Sequence, residues 1–306
     1  MHYRFAFALA VAALALPVWA GGQQRTGQRG AGGAQQGAQG GQDRNVLARG
    51  ARPLVPDDLP FDPHDLSGVW LANKYGFNAT YEPPMTPEGK KKFDAQKPSY
   101  GALVGSAAAQ DTRVPSGRRR SIPPAQGNDY VGACNPLGLV RLLLYQPAPM
   151  EFIMTRNRIL QRFEWTWDHR EIWLDGRPLA KVEEYLPRWH GYSAGKWEGN
   201  TLAVTTVGLD DRQWLDHFGY PISDKARLEE RWTRTHHNVL ELQMTVTDPG
   251  IYTVPWKSDL VTFRLVPEKD LAEGVGWTAL AEDKCVPFDE VDQYNQRVRN
   301  PAGGVR

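Results

Sequence analysis

The candidate acid–base side chains of this chain lie in one stretch, 175–217. His190 is the best candidate for a general acid or base, because an imidazole titrates near working pH. Asp175 or Asp216 could orient its ring. Structural roles are the alternative, since Asp175 precedes Gly176 in a turn dipeptide and His190 could bond at a strand end. The predicted catalytic set is therefore His190, Asp216 and Asp175.

The same region supplies side chains that could bind a ligand. Arginines would hold an anionic substrate or a developing oxyanion. Large aromatic rings would either fill a core or face a cavity that suits a flat or apolar molecule. The candidate ligand-binding residues are Arg177, Arg170, Tyr192, Trp197, Trp214 and Trp165.

Neither a metal, a cofactor nor a nucleophilic triad is predicted. His236 and His237 are adjacent, so on a strand they would point to opposite faces, and a polar turn explains them better. The other histidines lack ligand spacing. Ser193 matches Gly-x-Ser-x-Gly in letters, but a nucleophile elbow needs a strand-to-helix turn, and residues 196–200 indicate a strand and a hairpin turn. Glycine loops for phosphates or dinucleotides are also missing from the sequence.

Short alternating strands must position these side chains. In Leu240–Thr247 the apolar residues occupy every even position, which is the period of a strand with one buried face. Similar runs follow one another from Met150 to Pro267, and Asp175-Gly176 predicts a hairpin. With a first strand at Asp65–Trp70, about eight to ten strands are expected, and a sheet of that size usually closes. We therefore predict an all-β antiparallel meander that forms a barrel.

The remaining elements follow from turn and cap signals. Thr86 and Pro87 predict a helix start near Lys90, and a weaker helical pattern lies near Val291. The stretch 94–130 has the composition of a long loop. The predicted strand runs are Met150–Thr155, Arg158–Trp167, Arg170–Leu174, Tyr192–Trp197, Thr201–Gly208, Arg227–Thr235, Val239–Thr247 and Leu260–Val266.

The N-terminus predicts export. Arg4 precedes a short apolar run that ends in a small-residue site at Ala20, which is typical of a signal peptide. We predict a signal at 1–20, a disordered Gly/Gln-rich leader at 21–54, one β-barrel domain at 55–290 and a tail at 291–306. The location would be periplasmic or extracellular, where Cys134 and Cys285 most simply form one disulfide.

Charge and hydropathy narrow the class of partner. The chain carries 36 Lys and Arg against 35 Asp and Glu, and cleavage after Ala20 would remove Arg4, which leaves equal numbers. Nucleic acid is therefore not expected, because phosphate binding needs a surplus of basic groups. The apolar run near the N-terminus is too short for stable membrane insertion. A small-molecule ligand or substrate is the expected partner, and the oligomeric state stays open.

Two resemblances support this fold. Gly68-Val69-Trp70 resembles the Gly-x-Trp of lipocalins, which marks the closed end of their barrel. The segments 174–178, 190–202, 214–216 and 248–256 together are similar to a widespread, mostly uncharacterised family of exported bacterial β-barrel proteins. These resemblances imply a lipocalin-like barrel outside the cytoplasm. They bring no catalytic residues to this sequence.

Three function hypotheses follow. The first is an exported barrel that binds a small apolar or aromatic molecule in its lumen. The second is a cofactor-independent lyase, isomerase or hydrolase that uses His190 with Asp216 or Asp175 in the same barrel. The third is a structural or interaction protein, which requires neither a cavity nor converging polar groups.

Overall fold

The computed structural model describes residues 54–73, 83–99, 126–145, 148–181, 183–267, 280–281, 285–287, 290 and 293–294. Ten β-strands and two α-helices occur in these described ranges. They are β1 (Gly68–Ala72), α1 (Pro87–Ala95), α2 (Leu139–Leu144), β2 (Met150–Met154), β3 (Arg158–Phe163), β4 (His169–Trp173), β5 (Tyr192–Glu198), β6 (Thr201–Val207), β7 (Arg227–His236), β8 (Val239–Thr247), β9 (Trp256–Lys257) and β10 (Val261–Leu265). The predicted signal peptide, most of the leader and the part of the long loop at 100–125 lie outside the described residues. Of the helical candidate near Val291, the described residues Glu290, Gln293 and Tyr294 are helical.

Nine of the strands close into a barrel, which confirms the predicted fold class. Strands β1 to β8 pair in chain order, and β10 pairs with both β1 and β8 to complete the circle. The short strand β9 pairs with β8 beside the closing strand. The sheet differs from the predicted meander in one place, because β4 and β5 run parallel, through the pairs Ile172–Ser193 and Trp173–Ala194.

The predicted hairpin at Asp175-Gly176 is wrong. Gly176 does adopt a positive φ of 75°, as a turn requires, but the chain then continues through residues 177–191 before it returns as β5. A parallel pair needs such a connection, because the chain must return to the end of the sheet at which β4 begins before β5 can run in the same direction. We call Leu174–Gly191 the crossover segment. The turn predicted at residues 198–200 is confirmed, since it joins β5 to β6 as antiparallel neighbours.

Two further differences have local causes. Strand β3 ends at Phe163, not at Trp167, because Thr166 and Trp167 take positive φ values of 53° and 57° in a tight turn. Helix α2 was missed because every one of its residues is buried, so the helix shows no polar face and no amphipathic period. Helix α1 is confirmed, with the Thr86 hydroxyl accepting a hydrogen bond from the Gly89 amide.

Side chains pack the interior of the barrel. The Trp232 ring has its centre 5.3 Å from that of Phe152 and 5.6 Å from that of Phe263. Beside these rings, the Arg170 guanidinium forms two hydrogen bonds with the Glu230 carboxylate, at 2.7 and 2.6 Å. All five side chains are almost fully buried. Aromatic packing and a paired charge thus occupy this part of the barrel axis.

The segment before β1 covers one end of the barrel. Asn238, in the β7–β8 turn, accepts a hydrogen bond from the Asp57 amide and donates one to the Val55 carbonyl. The Arg234 guanidinium lies over the Trp70 ring, 5.4 Å from its centre, and donates to the Asp65 carbonyl. These contacts fix the end at which β1 begins. The opposite end carries α2 and the loop between β6 and β7.

The predicted disulfide is present. Cys134 and Cys285 are bonded, with their Cα atoms 5.6 Å apart across 151 residues of sequence. Near Cys285 the chain makes two further contacts with the β3–β4 turn. The Ala281 amide donates to the Glu164 carboxylate at 2.8 Å, and the Trp167 indole donates to the Ala281 carbonyl at 2.9 Å. The C-terminal region is therefore attached both to the turn before β4 and to the segment before α2.

Candidate functional site

A pocket of about 530 Å³ lies beside the parallel pair of strands. Its walls come from β4, the first residues of β5, the crossover segment, Asp168 and Pro136. We call it the crossover pocket. Its volume is within the range of about 300–1,000 Å³ that is usual for small-molecule sites. The wall residues His169, Glu171 and Trp173 alternate along β4 with the more deeply buried Arg170 and Ile172, so they belong to the outer face of that strand.

The parallel pairing explains why a pocket forms here. Strands β4 and β5 pair at only two positions, Ile172–Ser193 and Trp173–Ala194. Their connection must run over the outside of the sheet, where it leaves room between its own side chains and those of the strands. A two-residue hairpin would leave no such space.

His190 lies at the end of the crossover segment, and a rigid turn fixes it. The Arg188 amide donates to the Gly208 carbonyl, and the Arg188 carbonyl accepts from the amides of Asp210 and Gly191. Gly191 has a φ of 58°, and a Cβ at this position would lie 2.6 Å from the Val207 carbonyl oxygen. Only glycine fits this turn, which places the imidazole at the edge of the barrel interior.

The His190 side chain is buried, and no described residue forms a hydrogen bond with its ring. The residue is only 9% exposed, and its ring centre lies 5.8 Å from that of Phe163. Neither ring nitrogen has a hydrogen-bond partner among the described residues. The nearest charged group is Asp168, whose Oδ2 lies 3.4 Å from His190 Nε2. Because a buried polar group without a partner is costly, this ring is free to bond a molecule in the crossover pocket.

Asp168 is the carboxylate of the site, and the sequence did not indicate it. The Thr166 hydroxyl donates to Asp168 Oδ2 at 2.9 Å, while the Asp168 carbonyl accepts from the Phe163 amide at 2.8 Å. These bonds close the turn between β3 and β4 and direct the carboxylate toward His190. The two residues are distant in sequence, so only the topology of the barrel reveals that they are neighbours.

Two of the predicted arginines reach the pocket with their charges already compensated. Each nitrogen of Arg170 donates a hydrogen bond, Nε to Gln161 and the other two to Glu230. Arg177 forms several hydrogen bonds with Asp175, and these bonds hold the pKa of the Asp175 carboxyl below its usual value. The Arg177 guanidinium also lies 3.5 Å from the centre of the Trp173 ring.

Arg188 is different, because no carboxylate of the described residues compensates its charge. The Arg188 side chain is exposed at the pocket and lies over the Tyr192 ring, 5.0 Å from its centre. Within the described ranges, it forms no ion pair with any carboxylate. Sequence reasoning did not single it out, since a lone arginine beside a tryptophan has no distinguishing pattern.

Aromatic rings form much of the remaining wall. The Tyr185 and Tyr192 rings have their centres 5.2 Å apart, and the Tyr192 hydroxyl donates to the Leu186 carbonyl. Tyr192 therefore presents its ring to the pocket, while its hydroxyl is engaged. Trp173 and Trp189 line the same pocket. Such walls suit a planar ligand, because ring faces give large contact areas.

The crossover pocket brings together four of the predicted site residues, namely His190, Arg170, Arg177 and Tyr192. The other five line no part of it. Asp175 bonds Arg177 behind the wall, Trp197 contacts the His64 ring with centres 4.6 Å apart, and Trp165 lies in the turn after β3. Trp214 packs near the Arg141 guanidinium, 5.8 Å from the ring centre.

Asp216 belongs to the buried loop between β6 and β7. Its Oδ1 accepts hydrogen bonds from the amides of Phe218 and Tyr220, at 2.9 and 3.1 Å. Burial raises the pKa of the Asp216 carboxyl from 3.8 to about 6, against the opposing effect of these amides and of the Arg141 charge. Its bonds in this position organise a loop, and the carboxylate beside His190 is Asp168 instead.

Other features of the sequence are placed as follows. Ser193 lies within β5, with its hydroxyl 2.8 Å from that of Thr206, so it occupies a strand and not a strand-to-helix elbow. The described residues contain no cluster of three or more His, Cys, Asp and Glu side chains that could hold a metal ion. Across those same ranges, no helix has the length and apolar character needed to span a bilayer.

Comparison with known proteins gave no relative. No family model, no curated protein and no solved structure matches this chain. The function must therefore be argued from the geometry of the site.

Proposed function

We propose that this chain is an exported barrel protein that binds a small molecule in the crossover pocket. The observation that carries the proposal is the buried His190 imidazole, which has no hydrogen-bond partner among the described residues and borders a pocket of about 530 Å³. A ligand that bonds this ring would remove the cost of burying it. The disulfide between Cys134 and Cys285 supports the export part of the proposal, because such bonds persist in oxidising compartments.

The packed barrel axis favours this pocket over the lumen as the ligand site. Trp232, Phe152, Phe263 and the Arg170–Glu230 pair occupy the interior beside β4. The crossover pocket, in contrast, combines open volume with aromatic and charged walls. The ligand class expected from the sequence, a small apolar or aromatic molecule, also fits walls formed by Trp173 and Tyr192.

A pair of strand variants tests the proposal. Ala194 lines the pocket on β5, whereas Ala203, on the neighbouring strand β6, is half-buried like Ala194 but lies outside the pocket. Ala194→Trp should fill the pocket, whereas Ala203→Trp should leave it open. A library of small aromatic and polar compounds is screened by amide NMR on the full protein. We expect some compounds to bind and to shift the amide signals of residues 168–173 and 188–194. The Ala194→Trp variant should no longer bind these compounds, whereas Ala203→Trp should still bind them. Binders that are unaffected by Ala194→Trp, or a screen without binders, would contradict the proposal.

Acid–base catalysis is the second candidate function. It is favoured by the 3.4 Å separation of His190 Nε2 and Asp168 Oδ2 at the pocket wall. In this arrangement Asp168 would hold the ring orientation through Nε2 and stabilise the imidazolium, while His190 Nδ1, the other ring nitrogen, exchanges a proton with the bound molecule. If a compound bound in the pocket is converted to a product, His190→Gln should lower kcat at least about 100-fold. An unchanged kcat would rule out this role.

A further inference from the structure

Among the described residues around the crossover pocket, one arginine has no carboxylate counterion. Arg170 is bonded to Glu230, Arg177 to Asp175, and the Glu171 carboxylate of the wall to Arg158 outside it. The described part of the chain offers Arg188 no carboxylate of this kind. These three charged wall residues thus bring their own counterions, while the Arg188 guanidinium can accept one from a ligand.

Backbone hydrogen bonds fix the position of Arg188, as they fix that of His190. Its backbone amide and carbonyl are both bonded to the chain that follows β6, at Gly208 and Asp210. The side chain then extends over the Tyr192 ring, on a wall that continues to Tyr185. The guanidinium is therefore held beside a ring face that a planar ligand would contact.

Arg188 and His190 are two residues apart on one fixed turn, and both line the pocket. A guanidinium presents several donors in a plane, which matches the two oxygens of a carboxylate. The imidazole offers a further donor or acceptor that no described residue uses. A ligand with a carboxylate at one edge of a ring system would satisfy Arg188 and remain within reach of the aromatic wall.

We propose that the ligand of the crossover pocket is a planar aromatic carboxylate, whose carboxylate pairs with Arg188 while its ring lies against the Tyr185–Tyr192 wall. This inference rests on the proposed small-molecule binding, and it adds the ligand class. Arg188 should favour planar carboxylates over neutral planar molecules, because a neutral analogue leaves the Arg188 charge without a counterion. The aromatic ring selects among anions, because a saturated ring cannot stack on the tyrosines.

Three matched probes test the ligand class by calorimetric titration of the full protein. They are 2-naphthoate, the neutral 2-naphthamide and the saturated decahydro-2-naphthoate. We expect 2-naphthoate to bind at least about tenfold more tightly than 2-naphthamide, since a charge-assisted hydrogen bond replaces a neutral one. We also expect it to bind more tightly than the saturated acid. Added salt should weaken 2-naphthoate and leave 2-naphthamide unchanged, because the ion pair is partly exposed to solvent.

Two variants test whether Arg188 causes the preference for 2-naphthoate over 2-naphthamide. Arg188→Gln should bring the ratio of the 2-naphthoate and 2-naphthamide affinities close to one. Arg231→Gln is the control, because Arg231 is an exposed arginine on β7 that pairs with Glu198 outside the pocket; it should keep the ratio. A ratio that survives Arg188→Gln, equal affinity of the two aromatic probes, or no binding of 2-naphthoate would overturn the inference.

The outcome for the neutral probe separates the two proposals. If 2-naphthamide binds as well as 2-naphthoate and Ala194→Trp abolishes both, the crossover pocket is a small-molecule site and only the ligand class is wrong. If Ala194→Trp has no effect on any bound probe, the crossover pocket itself is not the site. Both results would overturn the assignment of Arg188 as the residue that binds the anion.

Discussion

Arg170 and His190 are both buried where β4 and β5 meet, yet one is completely bonded and the other is not. Every nitrogen of Arg170 donates to Glu230 or Gln161. Both ring nitrogens of His190 are left without a hydrogen bond within the described residues. This difference in hydrogen bonding distinguishes a buried polar group that stabilises the fold from one that is available for a ligand. A satisfied group belongs to the folded state, whereas an unsatisfied one beside a pocket indicates a missing partner.

Removal of Glu230 should have the largest effect on stability. Glu230→Ala leaves the Arg170 charge buried without its counterion, so we expect a loss of about 3–5 kcal/mol in the free energy of unfolding. The matched control is Glu229→Ala, because Glu229 is the adjacent, exposed residue of β7. It should change the free energy by less than about 0.5 kcal/mol. Urea unfolding measures both, and similar losses for the two variants would refute the structural role of the Arg170–Glu230 pair.

A pair of glycines tests the turn that holds His190. Gly191 and Gly199 share a φ of 58°, but a Cβ at Gly191 meets the Val207 carbonyl, whereas at Gly199 it meets nothing within 4 Å. Gly199→Ala should cost about 1 kcal/mol, the strain of a left-handed residue. Gly191→Ala adds a backbone clash and should cost about 3 kcal/mol. If thermal unfolding shows equal costs, the turn is not as rigid as the structure indicates.

Asp216 is a third buried polar group, and it should make stability depend on pH. Its folded-state pKa of about 6 lies above the ordinary value of 3.8, so the folded protein keeps this proton longer than the unfolded chain does. The stabilisation is complete below about pH 4 and is lost as the pH rises through 6, by at most about 3 kcal/mol. Asp216→Asn keeps a neutral acceptor and should lose this dependence.

Urea unfolding at pH 4 and pH 7 checks the prediction for Asp216. The wild-type protein should lose more stability than Asp216→Asn between the two pH values. A constant difference between the two proteins would mean that burial does not keep this carboxyl protonated. Asp216 would then resemble the compensated Arg170 and not an ionisable group under strain.

Replacement of His190 should have the smallest effect on stability. His190→Gln removes no hydrogen bond of the described protein, so we expect a change of less than about 1 kcal/mol in the free energy of unfolding. Ligand binding in the crossover pocket should weaken at the same time. A loss as large as that of Glu230→Ala would show that His190 is a structural residue and would remove the contrast with Arg170.

The sequence predicted most of the barrel because its strands alternate strictly. Strand β8 carries apolar residues at every second position, strand β7 buries every second residue from Leu228 to Arg234, and the turn between them is polar. The alternation at Trp165 and Trp167 had a different origin, since the positive φ of Thr166 forms a turn there. The spacing of apolar residues in a sequence indicates which side chains share a face, but it does not reveal the backbone conformation that tertiary contacts impose.

The candidate site was predicted in part. His190, Arg177, Arg170 and Tyr192 line one pocket, because they lie close in sequence on β4, on β5 and in their connection, and their catalytic and ligand-binding roles stay predictions. Asp168 and Arg188 were missed. Asp168 lies beside His190 only because the β3–β4 turn brings it there. Arg188 differs from Arg170 and Arg177 only because it lacks, among the described residues, the carboxylate counterion that they have. Both properties are spatial, so no spacing in the sequence records them.

The His190 ring offers the most direct test of the account. The chain has seven histidines, and nitrogen NMR of their side chains, with His190→Gln for assignment, follows this ring when 2-naphthoate is added to the full protein. We expect the ring nitrogens of His190 to shift more than those of the other histidines, because the ligand supplies the hydrogen bond that this ring lacks among the described residues. Binding of 2-naphthoate without any change at His190 would contradict the claim that this buried imidazole is kept for a ligand.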